Sequence, residues 1–406
     1  MTQEELRKLY VRMRTLVVFR AVTDNPVVAR LVDTLGLASG VVGDASSQRL
    51  AEAYSAFVFE LFATGGCSLA CYLQEVVLDD ENVYLRRIGA GEEVRPSLVA
   101  AAQEELKVFS DLARVTPDDL LVNVDEPLRS SLARFELTPL DLAATYRARL
   151  KDIRRFGYGI YARYHVFRLD DAGQIVAVHH PDPIRLSALV DYDREKKVIL
   201  DNTRALLAGK PAANILLTGD AGTGKSSTVK AVVNELAPEG LRILEVSKDQ
   251  LHQIPAILDE LTKNPLCFVI FIDDLSFAGD DDNFAALKAI LEGSVSAKSA
   301  NVVIYATSNR RHLVKETFSE REGDDVHLND TLQEIVSLSD RFGIHLTFYK
   351  PNMTTYLDIV HQLAANAGIQ MDEAELNLLA ERFATRRGGR SARGARQFVD
   401  SLLSKE

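Results

Sequence analysis

Eight consecutive residues, Gly219-Asp220-Ala221-Gly222-Thr223-Gly224-Lys225-Ser226, meet the pattern G-x-x-x-x-G-K-[ST] in full. The chemistry they suit is the gripping of a polyphosphate. Three glycines, having no Cβ, let the backbone wrap closely around an anion. The loop amides and the N-terminus of a following helix then point at phosphate. Lys225 can reach the β and γ oxygens, and the hydroxyl of Ser226, next to Ser227, can ligate Mg2+. The competing reading is a chance glycine-rich turn. The strand-like run Ile215-Leu216-Leu217 before the loop and the helical pattern from Ser227 onward argue for the cradle.

Two carboxylates follow. Phe268-Val269-Ile270-Phe271-Ile272-Asp273-Asp274 is an apolar run ending in acid. A buried strand would deliver both groups to the carboxyl edge of a sheet, where open α/β sheets bind ligands. Asp273 would hold Mg2+ through its water shell. Asp274 would orient and polarise an attacking water; its alternative is a turn aspartate at a strand end. Asn301 through Asn309 is a second buried-strand run ending in small polar residues. In a parallel sheet Asn309 lies near the γ-phosphate, able both to donate and to accept. Arg310 and Arg311 come next, facing a neighbour or solvent. Arg341, in Leu338-Ser339-Asp340-Arg341-Phe342-Gly343, reads as a phosphate-directed guanidinium or as the ion-pair partner of Asp340. Gly389 through Arg396 opens a helix with Ser391 as N-cap, which puts Arg393 in the first turn, within reach of phosphate. The five arginines between 386 and 396 have a second reading as nucleic-acid backbone contacts. A lid over a triphosphate already needs that positive charge.

Hydrophobic period predicts the elements that must position these groups. Residues 1–156 read as an N-terminal helical domain. Leu6, Leu9, Met13, Leu16 and Val17 repeat at helical spacing, and so do Leu50, Tyr54, Phe57, Val58, Leu61 and Phe62, up to Gly65-Gly66. Ser97–Leu112 and Thr138–Ile153 give two more helical patterns. Residues 157–183 read as a β-hairpin around Asp170-Asp171-Ala172-Gly173 and a linker carrying His179 and His180, solvated rather than metal-bound. From 184 to 350 the pattern is βαβ. Strands are expected at Ile215–Thr218, Arg242–Val246, Phe268–Ile272, Val302–Ala306 and His345–Tyr349, in a mostly parallel sheet covered on both faces. Residues 351–406 read as helices Thr354–Ala367, Glu373–Thr385 and Ser391–Leu403. Asp280-Asp281-Asp282 reads as a solvated loop.

Bulk properties bound the partners. The chain has 406 residues, 47% of them hydrophobic, enough for two or three cores, and a net charge of −11. That balance opposes coating of nucleic acid by charge alone. Cys67, Cys71 and Cys267 are too few for a disulfide framework and suggest a reducing compartment. Cys67 and Cys71, four apart on an expected helix, read as buried packing rather than metal ligands. Thr2-Gln3-Glu4-Glu5 is a capping box, not a signal-peptide start, and no run approaches 18 apolar residues; a cytoplasmic protein without a membrane span is expected.

Taken in order, 219–226, 268–274, Asn309, Arg341 and Arg393 resemble the motif set of the AAA+ ATPases: Walker A, Walker B, sensor 1, arginine finger and sensor 2. The likeness covers 184–406. Leu338 through Tyr349 is similar to the matching stretch of the bacterial Holliday-junction branch-migration motors. Longer strings resemble the bacterial domain-of-unknown-function 815 ATPases: Lys248-Asp249-Gln250-Leu251, Asp273 through Phe277, Tyr305 through His312 and Ala395 through Asp400. The resemblance implies an α/β P-loop AAA+ sheet flanked by helices, with a C-terminal helical lid. It implies ATP and Mg2+, with Lys225 and Ser226 on phosphate and metal, Asp273 as metal aspartate, Asn309 as sensor 1, Arg393 as sensor 2 with Arg390 as its substitute, and Arg341 acting in trans within a homo-oligomer. Two departures stand out. Asp274 replaces the glutamate usual in AAA+ proteins, one methylene shorter. No aromatic–aliphatic–glycine threading loop follows the second strand; Phe277-Ala278-Gly279 has that chemistry but comes after Walker B. A polypeptide-unfolding motor is therefore disfavoured.

Two functions follow. One is an ATP-hydrolysing machine that remodels or assembles a protein or nucleic-acid client chosen by the N-terminal domain. The other is a slow or non-hydrolysing ATP-dependent switch or scaffold. A small-molecule kinase is disfavoured by the arginine-bearing lid. Adenine over guanine is mostly what the resemblance implies; in addition, no Asn/Thr-Lys-x-Asp guanine-reading motif follows the Walker B strand, and Leu189, Val190 and Tyr192 can wall an adenine pocket or simply pack as linker.

Overall fold

The computed structural model describes residues 1–43, 46–275, 287–288, 290–291, 300–309 and 341–404. Outside these lie Asp280-Asp281-Asp282, Phe277-Ala278-Gly279, Arg310, Arg311 and Leu338-Ser339-Asp340. The chain divides into two compact units, Met1–Arg163 and Tyr164–Glu406.

The first unit is helical. Thr2 caps helix Gln3–Arg14: its hydroxyl accepts from Glu5 N, and the Glu5 carboxylate accepts from Thr2 N in return. Leu6, Leu9 and Met13 are buried along this helix. Val17, counted in the same stripe, is 76% exposed because the helix has already ended. The turn that follows leaves backbone amides without helical partners. The buried Glu105 carboxylate, on helix Pro96–Leu112, accepts from Val17, Val18 and Phe19 N at 2.8–3.1 Å. Phe19 meets the Phe109 ring edge-on at 5.5 Å, tying this turn to the core formed with Pro26–Ala38, Ser47–Ala63 and Leu69–Asp79. Cys67 and Cys71 do not pack in that core; both are exposed. Cys67 precedes the N-cap Ser68, and the inner face of Leu69–Asp79 is taken by Leu69, Ala70, Leu73, Val76 and Val77.

The second unit is built on one seven-stranded sheet. Its strands are β1 Val166–Leu169, β2 Ile175–Ala177, β3 Ile215–Gly219, β4 Leu241–Glu245, β5 Cys267–Ile272, β6 Val302–Ser308 and β7 Ile344–Phe348. They lie in the order β2-β1-β4-β5-β6-β3-β7, parallel except for the β1–β2 hairpin. The central strands are almost wholly apolar because helices cover both faces. Asp193–Leu207 and Lys225–Leu236 contribute Ile199, Leu206, Val229 and Val232 to a core shared with Val269, Phe271 and Tyr305.

The expected hairpin forms the edge of this sheet, with Val166 registered on Ile243 and Arg168 on Glu245. Phe167 and Leu169 are buried there, which a free-standing hairpin could not achieve. His179 and His180, just beyond it, are exposed.

Three lid helices follow the sheet: Met353–Asn366, Glu373–Arg386 and Ala392–Leu403, packed around Tyr356, Val360 and Phe398. Ser391 caps the last, accepting from Gly394 N at 3.0 Å. Among the described residues no helix is long and apolar enough to cross a membrane.

Candidate functional site

The phosphate-binding pattern falls where β3 turns into helix Lys225–Leu236. Gly219 ends the strand at φ 141°, and a Cβ there would stand 2.0 Å from Phe348 O. Only glycine lets β7 approach so closely. Gly222, at φ 79°, faces the lid: Arg393 N donates to its carbonyl at 3.3 Å, and a Cβ would stand 3.3 Å from Arg393 Cβ. The lid therefore touches the loop directly through the first turn of its last helix.

Lys225 is 5% exposed. Its ammonium donates to Gly219 O at 2.7 Å, Asp220 O at 2.9 Å and Asn309 Oδ1 at 3.0 Å. Burial lowers its pKa from the usual lysine value, and Arg393 adds to the shift; Asp273, Asp274 and Asp220 oppose it. A group held in this way gains when negative charge enters beside it.

β5 and β6 are neighbours, with Ile272 registered on Ala306, so their carboxyl ends emerge side by side. That pairing brings together Asp273, Asp274, Thr307 and Asn309. Asp273 Oδ1 accepts from Ser226 Oγ at 2.6 Å, Thr307 Oγ1 at 2.5 Å and Asp274 N at 3.2 Å. Asp274 has a left-handed backbone, φ 54°; its N also donates to Thr307 Oγ1 at 3.0 Å, and its Oδ1 accepts from Asn309 Nδ2 at 2.6 Å. A hydroxyl and a carboxylate already within hydrogen-bond distance are hard oxygen donors of the kind Mg2+ takes. The Ser226 proton points to Asp273, which leaves the hydroxyl lone pairs for a cation.

These groups line a cavity of about 510 Å3, within the range of small-molecule sites. Ala221 through Thr228, Asp273, Asp274 and Asn309 form its polar wall. Leu189, Val190 and Tyr192, with Ile359 and Leu363 of the lid, contribute apolar surface. Tyr192 is fixed there: its ring lies 4.7 Å from that of Phe348 and its hydroxyl donates to Tyr349 O. Burial pushes its pKa up to about 12.

Of the two lid arginines considered, Arg393 borders the cavity. Arg390 is instead committed to Glu381 by two parallel bonds of 2.9 Å. Arg341 is not brought to the site. It lies just before β7, whose first residue pairs with the first residue of β3, so it stands at the opposite end of the strands from the loop. There it borders a separate depression of about 500 Å3 with Lys210, Pro211 and Leu258.

Sequence reasoning assigns no role to Thr307, Ile359 or Leu363 and counts Arg396 only among the five arginines between 386 and 396; all four line the cavity. For Thr307 a signal existed: period-two alternation puts it on the same side as Asn309. For Arg396 the three-residue spacing from Arg393 on a helix was the signal.

Comparison with solved structures finds the Holliday junction branch migration motor RuvB of Thermotoga maritima at 17% identity and TM-score 0.36, covering 55% of this chain and 65% of that one. It also finds PCH-2 of C. elegans at 18% identity and TM-score 0.39, covering 54% and 65%. A chain of the E. coli HORMA:CdnC:Trip13 complex matches at 15% identity and TM-score 0.38, covering 55% and 93%. The aligned region is thus just under two thirds of the RuvB and PCH-2 chains. No curated protein matches. A family profile matches residues 162–406, the sheet and the lid together. The chain belongs to the family described as protein of unknown function, DUF815.

Proposed function

We propose that the second unit binds ATP with Mg2+ and hydrolyses it, and that assembled subunits use the cycle to remodel or assemble a protein or nucleic-acid client. One observation carries this reading: Lys225, Ser226, Asp273, Asp274, Asn309 and Arg393 line one cavity of about 510 Å3 at the carboxyl edge of the sheet. Lys225 and the loop amides take the phosphate oxygens. Ser226 and Asp273 hold the cation, which when bound neutralises the charge of the β and γ oxygens. Asp274 orients the attacking water and draws on its proton, with Asn309 beside it. Arg393 from the lid, and Arg341 from a neighbouring subunit, balance charge developing on the γ-phosphoryl group. A guanidinium supplied from a neighbour is worth about 10³–10⁵ in rate, or roughly 4–7 kcal/mol. An isolated subunit is then a poor ATPase that still binds nucleotide.

The Asn309–Asp274 bond of 2.6 Å favours the second reading, a slow switch or scaffold. A carboxylate shorter than glutamate and already engaged is poorly placed to reach water. Phosphate release and binding of a fluorescent ATP analogue, each with and without Mg2+ and DNA, separate the cases. Magnesium-dependent release of phosphate supports the ATPase; tight binding with negligible release supports the switch. Absence of nucleotide binding removes both.

A further inference from the structure

We propose that Thr307 is a positioning residue for the acid pair: its hydroxyl selects which oxygen of Asp273 is left for the cation and holds Asp274 in its left-handed backbone. The inference rests on reading this site as a Mg2+-dependent nucleotide site. Thr307 is 1% exposed and next to last on β6. A hydroxyl has one proton and two lone pairs. The proton goes to Asp273 Oδ1 at 2.5 Å, and a lone pair takes Asp274 N at 3.0 Å. Its carbonyl accepts from Leu275 N at 2.7 Å. One residue therefore ties down three consecutive residues that lie beyond the end of β5.

Two consequences follow for the acids. Asp273 Oδ1 receives three donors, from Ser226, Thr307 and the Asp274 amide, while Oδ2 accepts from none of the described residues. These three donors fix the carboxylate's orientation and leave Oδ2, among the described residues, as the oxygen open to a cation shell. Asp274, at φ 54°, occupies the left-handed region, uncommon for non-glycine residues though visited more readily by aspartate than by most. The Thr307 bond to its amide holds it there and aims the short side chain at Asn309.

Valine matches threonine in shape and lacks the hydroxyl; serine keeps the hydroxyl and lacks the methyl. In the full chain, binding of a fluorescent ATP analogue is titrated against Mg2+, and turnover is measured alongside. Thr307→Val is expected to raise the half-saturating Mg2+ concentration and lower kcat, each by about 10- to 100-fold, as loss of a group orienting a metal ligand does elsewhere. Its nucleotide affinity in EDTA should match that of the wild type, and Thr307→Ser should restore both quantities. A Thr307→Val variant with the wild-type Mg2+ midpoint and kcat overturns the proposal. So does a Thr307→Ser variant as impaired as the valine one, since the methyl would then be the group that matters. Should valine prevent folding, Thr307→Ala reads the same two quantities. A wild-type chain whose nucleotide binding ignores Mg2+ would overturn the site reading itself, an outcome distinct from a Mg2+-responsive wild type with an indifferent valine variant.

Discussion

Asp274 has a carboxylate one methylene shorter than glutamate, and its position is set by its backbone and by Asn309 rather than by reach. Removing its charge while keeping its shape isolates its part in turnover. Asp274→Asn should retain ATP affinity and lose turnover by about 10²–10⁴-fold, the usual contribution of a positioned base; equilibrium binding and phosphate release read the two halves. Lys225→Ala is the opposite case. It removes the ammonium that donates to Gly219 O, Asp220 O and Asn309 Oδ1, so nucleotide binding itself should fail, as titration calorimetry would show. Undiminished turnover in that variant would rule out its phosphate role. Both residues were legible in the sequence because a local pattern names them: a glycine loop before Lys225, an apolar run before Asp274. For Thr307 alternation along the strand gives only the side it shares with Asn309; its bonds to Asp273 and Asp274 depend on the β5–β6 register, which no local window contains.

The pairing of β3 with β7 rests on a glycine. At Gly219 the two backbones approach so closely that a Cβ would meet Phe348 O at 2.0 Å, and φ is 141°. Gly219→Ala should therefore destabilise the sheet by about 3 kcal/mol through strain and displacement, read as a fall in the urea midpoint of the second unit. A variant as stable as the wild type would mean that β7 can shift without cost. The parallel core strands were legible because continuous apolar runs bounded by turn residues have few other uses. The hairpin was recognised as a hairpin, but its place at the sheet edge was not, since pairing of β1 with β4 joins segments far apart in sequence. The exposure of Cys71 likewise depends on which face of its helix the core claims, and that of Cys67 on the helix beginning only after it.

Two compact units in one chain predict two unfolding transitions. Calorimetry with Mg2+ and ATP should raise the transition of the second unit and leave that of the first in place. Ligand at about 100 times its Kd adds roughly 2.7 kcal/mol to the state that binds it. A shift of both transitions together would show that the units unfold as one. Arg341, at the far end of β7 from the loop, makes a prediction about assembly. Arg341→Ala should bind ATP normally and turn over about 10³-fold more slowly. Mixing it with inactive Lys225→Ala subunits should recover activity, because each then supplies what the other lacks. Failure to recover would assign Arg341 a role within its own subunit.

The β3–β7 pair joins two edges of the sheet. Five registered positions, Ile215 with Ile344 through Gly219 with Phe348, run from the Arg341 edge to the phosphate loop. A one-residue slip of the pair would turn every side chain of β7 to the other face, which holds the register. The pair is thus a continuous hydrogen-bonded path of five registered positions between the Arg341 edge and the loop.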